Sequence, residues 1–149
     1  MAAATIALTD DEDAATLKAV EDGLIGFNGA ATARPHDWRP LTLAVRRAGE
    51  AAPAGGLLGR TFFNWLFVSL FYLPADLRGR GLGTELLRRA EAEARARGCV
   101  GAHLDTFGFQ ARGFYEKLGY AVFGTLPDCP PGHARFFLSK RLDAPPPAP

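Results

Sequence analysis

The sequence predicts a mixed α/β domain, and three observations carry that prediction. Apolar runs rich in aromatic and β-branched residues alternate with segments of helical spacing along the chain. Leu82, Leu86, Leu87, Ala90 and Ala94 recur as one helical stripe, and Gly98 stands just beyond it, where helices end. The run Arg78-Gly79-Arg80-Gly81-Leu82-Gly83 lies where an extended apolar segment hands over to that helix. With 149 residues, 48% hydrophobic and 22% charged, the chain suffices for one domain with a real core and not for two ordinary ones.

The elements follow in order. Ala4 to Leu8 reads as a short first strand. Asp10-Asp11-Glu12-Asp13 puts acid where a helix should begin, and Leu17, Val20, Leu24 and Ile25 supply its spacing until Gly26, Asn28 and Gly29 break it. Residues 30–40 read as a loop, with Pro35 and Pro40 as breakers. Three strands are expected next: Leu41 to Val45, Gly56 to Phe63, and Trp65 to Leu73, the last stopped by Pro74. Helix Gly83 to Arg97 is the strongest element, with Glu85–Arg89, Glu91–Arg95 and Glu93–Arg97 as i,i+4 pairs on its wet face. Cys99 to Phe107 reads as a strand. Ala111, Phe114, Tyr115 and Leu118 mark a helix ended by Gly119. Tyr120 to Thr125 and Arg135 to Lys140 are the last strands, joined by the stiff loop Leu126 to His133. A domain over residues 1–142 is expected, followed by a disordered Pro/Ala-rich tail over 143–149.

Bulk properties exclude several classes. The net charge of +1 argues against non-specific binding to nucleic acid or an anionic membrane. Cys99 and Cys129 have no metal-ligand spacing, and no metal site is expected. A disulfide is open to them, but a reducing compartment is the simpler reading. The first residues lack a basic region followed by an apolar stretch, so no signal peptide is expected, and the stretch Trp65 to Leu73 is too short to span a bilayer as a helix. The reading is therefore a cytoplasmic protein. Arg outnumbers Lys, with Ala and Pro abundant, which suggests a GC-rich bacterial genome.

The glycine run points to chemistry. Glycine lets the backbone turn tightly and approach a ligand closely. A helix N-terminus offers unpaired N–H groups and partial positive charge, so strand, glycine turn and helix together form a phosphate cradle. No Gly-Lys-Ser/Thr follows the glycines, which disfavours nucleotide hydrolysis. The later run Phe114-Tyr115-Glu116-Lys117-Leu118-Gly119-Tyr120 adds a second motif at a suitable separation.

On these two motifs the chain resembles the GCN5-related N-acetyltransferases (GNAT). Arg78, Gly81 and Gly83 fill that family's Arg/Gln-x-x-Gly-x-Gly/Ala cofactor signature, and Phe114 to Tyr120 match its Tyr-Glu-Lys-x-Gly helix. The resemblance implies a mixed, mostly antiparallel sheet of six to seven strands, splayed at its fourth and fifth strands, with about four flanking helices. It implies an acetyl-CoA-dependent N-acyltransferase without a metal, in which a primary amine attacks the thioester directly. The pantetheine arm would enter the splay and pair with the Leu73 backbone, and the diphosphate would sit on N–H groups of Arg80, Gly81, Leu82, Gly83 and Thr84. The Thr84 hydroxyl would add a bond, Gly79 would shape the turn, and Arg78 and Arg80 would add positive charge. The family's asparagine seven residues before the tyrosine is Gly108 here, which leaves Gln110 as a substitute contact.

Acetyl transfer needs a neutral amine, although a free alkyl amine has a pKa of roughly 10.4. It also needs an oxyanion donor and a donor to the departing thiolate. Tyr115 is the candidate acid: by resemblance it lies near the thioester sulfur, and a phenol stays protonated at neutral pH. The base is harder to assign. The fourth strand, where many family members carry a glutamate, reads Trp65-Leu66-Phe67-Val68-Ser69-Leu70-Phe71-Tyr72 and has no acid. Asp105 is the nearest carboxylate, read either as the proton acceptor or as a structural group holding the following turn. Water-mediated deprotonation is a further route. Trp65, Ser69 and His133 are the candidates for contact with the acceptor, and Asp37 and Asp128 are read mainly as loop acids. A small-molecule amine is the favoured acceptor. A protein N-terminal or lysine acetyltransferase and a non-catalytic acyl-CoA sensor are the alternatives, and a homodimer is compatible with the family.

Overall fold

The computed structural model describes residues 4–144, which divide into two compact units at the 36/37 boundary. The expected tail, apart from residues 143 and 144, lies outside the described residues.

In the first unit, α1 spans Ala14–Thr32. Asp13 caps it, its carboxylate accepting from the Ala15 N–H at 3.1 Å and from the Thr16 hydroxyl. These bonds hold the Asp13 carboxyl below its usual range. The helix runs straight through Gly26, Asn28 and Gly29, which sequence alone reads as its end. A helical glycine costs only about 1 kcal/mol against alanine, too little to stop a propagating helix. It ends instead at Ala33, in left-handed conformation, whose N–H bonds to the Gly29 carbonyl. The strand expected over Ala4 to Leu8 does not form. Ile6 and Leu8 are fully exposed, and no neighbouring strand supplies a ladder.

The second unit is one six-stranded sheet: β1 (Arg39–Val45), β2 (Gly55–Phe62), β3 (Trp65–Tyr72), β4 (Gly101–Phe107), β5 (Ala121–Leu126) and β6 (Arg135–Arg141), in spatial order β1-β2-β3-β4-β6-β5. Pro40 falls inside β1, which sequence reading starts at Leu41. This is tolerated because β1 is an edge strand, where a missing N–H costs no ladder bond. All neighbours are antiparallel except β3 and β4. A parallel pair requires a crossover. It is made by a 3-10 turn (Ala75–Leu77) and α2 (Leu82–Ala96). The short α3 (Arg112–Lys117) joins β4 to β5.

The core lies where α2 meets the sheet. Leu87, Ala90 and Ala94 of α2 pack with Leu57, Leu66, Val68, Ala102, Leu104 and Leu138 of the strands, and Leu86 is buried as well. Tyr115, inside α3, and Tyr120, between α3 and β5, complete the core. Glu91 corrects the wet-face reading of α2. It is 3% exposed, accepts from the Tyr120 hydroxyl at 3.0 Å and from Lys140 at 2.9 Å, and has Arg95 only at 3.9 Å. Spacing identifies i,i+4 partners but not which of them faces inward. Glu85–Arg89 and Glu93–Arg97 do pair, at 2.6 and 2.7 Å.

Glu91 ties α2, the end of α3 and β6 together. Glu91→Ala strands the Lys140 ammonium and the Tyr120 hydroxyl. It should cost about 2–4 kcal/mol, below the figure for a fully buried pair because Lys140 is partly solvated. Chemical denaturation is the check, and Glu91→Gln, which keeps one acceptor, should lose less.

Candidate active site

β3 and β4 pair only from Trp65–Gly101 to Val68–Leu104. Beyond that rung they part, as expected of the splayed strands. The cause is local. Gly59 opposes Val68 and Leu58 opposes Leu70, so Ser69 is an extra residue on β3, a β-bulge that bends the strand. The Ser69 hydroxyl donates to the Leu58 carbonyl at 3.1 Å and fixes the bulge to β2. Between the parted ends lies a cleft of about 740 Å³. Its walls are residues 68–73 of β3 and its continuation and residues 104–107 of β4. Gln110, Phe114 and Tyr115 border it from the α3 side, and Gly79, Gly81, Gly83 and Thr84 from the α2 side.

The α2 end is built to leave donors open. Gly81 occupies the N-cap at φ 76°, a left-handed conformation costly for other residues, and no side chain caps the helix. The N–H groups of Leu82, Gly83 and Thr84 therefore have no intrahelical acceptor. A Cβ on Gly79 or Gly81 would meet nothing within 4 Å, so the space above them is open. A Cβ on Gly83 would press on the Phe114 ring at 3.4 Å. The Arg78 Nε donates to the Leu73 carbonyl at 2.7 Å, and its guanidinium lies 5.8 Å from the Tyr72 ring centre. Arg78 thus holds the turn that delivers the chain to α2. Arg80 is exposed.

Tyr115 sits at the inner wall, 8% exposed, against Phe71, Phe114 and Tyr120. Its hydroxyl bonds to no described residue, yet no described buried side-chain polar atom lacks a partner, so the hydroxyl keeps contact with the cleft. Burial, helped by the negative charge of Asp105, pushes its pKa up to about 12. Asp105 lines the cleft from β4. Its Oδ2 accepts from the Arg135 Nε of β6 at 2.8 Å. The Gln110 side-chain carbonyl accepts from the Phe107 N–H at 2.9 Å and the Thr106 hydroxyl at 3.1 Å, closing the turn after β4.

The structure brings Leu73, Arg78, Gly79, Gly81, Gly83, Thr84, Gln110, Tyr115, Asp105 and Ser69 to one cleft. It does not bring Trp65 there. Trp65 starts β3 at the opposite end, its indole so close over Gly101 that a Cβ there would fall 2.4 Å from the ring. His133 stands one side chain away, edge-on to Phe109 at 5.1 Å, and Phe109 is the cleft residue. Sequence reasoning did not single out two residues that stand outside the cleft's lining, Arg135, bonded to Asp105, and His103, which stacks on Phe67 at 4.9 Å. Burial and the Arg60 charge lower the His103 pKa, against an opposing pull from Asp105. The available signal was alternation: His103, Asp105 and Phe107 share one face of a strand.

Residues 7–120 match the Acetyltransferase (GNAT) family. A blasticidin-S acetyltransferase of Streptomyces morookaense is 45% identical over 109 residues, 70% of this chain and 79% of that protein. An acetyltransferase of Agrobacterium fabrum is 38% identical over 135 residues, 91% of this chain and 97% of the relative. A crystal structure from Agrobacterium tumefaciens superposes with a TM-score of 0.85 at 37% identity, covering 93% of this chain and 99% of that one. The fold and cleft thus define an acyltransferase. The chain belongs to the GNAT family of acetyltransferases.

Tyr115 and Tyr120 both hold their protons more tightly folded than unfolded. Their contribution to stability is complete below the unfolded value near about 10 and is lost as pH rises through the folded values. Stability should therefore fall steeply above that pH. Ultraviolet difference titration should show a phenol ionising near about 12 that is absent from Tyr115→Phe.

Proposed function

We propose that this chain transfers an acetyl group from acetyl-CoA to a primary amine of a small molecule, in the cytoplasm. One observation carries the reading: the cleft joins an uncapped helix start, two parted strand edges and a protonated phenol. The donor set suits the co-substrate. The first-turn N–H groups of α2 fit a diphosphate, and the missing Cβ at Gly81 lets it approach. The β3 edge beyond Val68 has no β4 partner and suits an extended, amide-bearing arm. The Leu73 carbonyl is already taken by Arg78, so Leu73 would contribute through its N–H. Acetyl-CoA supplies an activated thioester. Tyr115 donates a hydrogen bond to the departing sulfur. Asp105 attracts the incoming ammonium with the oxygen that Arg135 leaves free, and water in the open cleft carries the proton off. Gln110 supports β4 from behind while its amide nitrogen remains available. Two free cysteines accord with a reducing compartment, and among the described residues no helix is long and apolar enough to cross a membrane. The blasticidin-S acetyltransferase relative favours a small acceptor over a protein tail.

Calorimetry with acetyl-CoA and thiol release across an amine panel test the reading. Binding and thiol release with small amines are expected. Binding with no thiol from any amine would indicate a sensor, and mass shifts on peptides alone a protein acetyltransferase. Gly81→Asn and Gly81→Asp carry similar shape and both tolerate a left-handed backbone, so they differ by one charge. The Asp variant should bind acetyl-CoA at least about tenfold more weakly than the Asn variant, from like charge at the helix start. Tyr115→Phe should lower kcat by about tenfold to a hundredfold with little change in acetyl-CoA affinity.

A further inference from the structure

We propose that the acceptor amine also carries a carboxylate, and that Arg135 is the residue that recognises it. This rests on the acetyltransferase reading above and names the substrate class of that site. The Arg135 guanidinium is bonded to Asp105, which lines the cleft. It is held there from three sides. Its Nε donates to Asp105, and the rings of Phe107 and Phe137 lie 5.5 and 5.2 Å from its carbon. The register explains the placement: Phe107 faces Arg135 and Asp105 faces Phe137, so anion, cation and both rings share one face of adjacent strands. Its side chain keeps 36% of its exposure.

Arg47 meets Asp76 with both Nε and a terminal nitrogen, at 3.0 to 3.2 Å, whereas Arg89 and Arg112 give Glu85 and Glu116 only Nε. Arg135 likewise gives only Nε, but its partner Asp105 lines the cleft. Its two terminal nitrogens bond to no described residue. They form the end-on fork that matches the two oxygens of a carboxylate. Asp105 in turn keeps Oδ1 free of described partners. Side by side, one carboxylate oxygen and two guanidinium nitrogens without described partners complement an ammonium and a carboxylate on one molecule. Rigid packing of the guanidinium lowers the entropy lost on binding.

The test compares amino acids with their own amides and with the amines that lack the carboxyl group, using the full chain with acetyl-CoA and thiol release. For the wild type, kcat/KM should favour the carboxylated amine by about tenfold or more, the size of one charge-assisted pair. Arg135→Lys keeps a cation for Asp105 but loses the fork, and Arg135→Gln loses both. In each the preference should shrink toward unity through KM, with acetyl-CoA affinity and circular dichroism as checks on the fold. Turnover without preference for the carboxylate, or a preference that survives in both variants, overturns the clamp alone. Thiol release from no amine, or no binding of acetyl-CoA, overturns the parent reading and the clamp with it.

Discussion

The parting of β3 from β4 at Ser69 is the constraint on which the rest depends. Below the Val68–Leu104 rung the two strands are zipped, and Leu66, Val68, Ala102 and Leu104 bury themselves against α2. Above it the backbone edges separate, and the same two strands become walls. Because the pair is parallel, the chain must cross over between them, and the crossover brings the start of α2 to the open end. Cleft and helix start are therefore one consequence of topology plus a single bulge. The bulge is secured cheaply, by one hydroxyl bonding one carbonyl of β2.

Polar groups near the core are committed to two tasks. Glu91 with Lys140 and Tyr120 fastens α2 to the far side of the sheet, where every buried polar atom is satisfied. At the cleft and beside it the opposite holds: first-turn N–H groups, the Tyr115 hydroxyl and the terminal nitrogens of Arg135 are left without described partners. Unsatisfied groups at a water-filled cleft cost little, whereas the same groups in the core would cost several kcal/mol, roughly 1–3 each. The fold thus places its open valences where solvent or substrate can meet them.

The helix-start end of this cleft is legible in the sequence and its far wall is not. The glycine run and the Leu/Ala stripe are local patterns, and their residues sit together because they are contiguous through α2. Tyr115 was readable for the same reason. Trp65 failed because position along a strand, not residue type, decides which end of the sheet a side chain serves. Arg135 was invisible because its meaning lies in the β4–β6 register, a pairing across 30 residues of sequence that no local pattern encodes. Glu91 was misread since i,i+4 spacing is symmetric between a wet face and a buried one. The continuation of α1 through Gly23, Gly26 and Gly29 shows propensity overridden by helix length.

Burial of Tyr115 decides what kind of acid it would be. In the proposed reaction a phenol raised to about 12 would face a departing thiol whose own pKa is near about 8.5. Full proton transfer from one to the other is uphill by about 3.5 pH units, or about 5 kcal/mol. A thiolate at neutral pH does not require that proton. It requires a dipole aimed at the charge as it forms, and a phenol that never ionises in the working range supplies one constantly. The rings of Phe71 and Phe114 that bury the phenol also make this wall drier, which strengthens the hydrogen bond. Tyr115 is better matched to stabilising the leaving group than to protonating it, and release of CoA as thiol would then draw its proton from solvent.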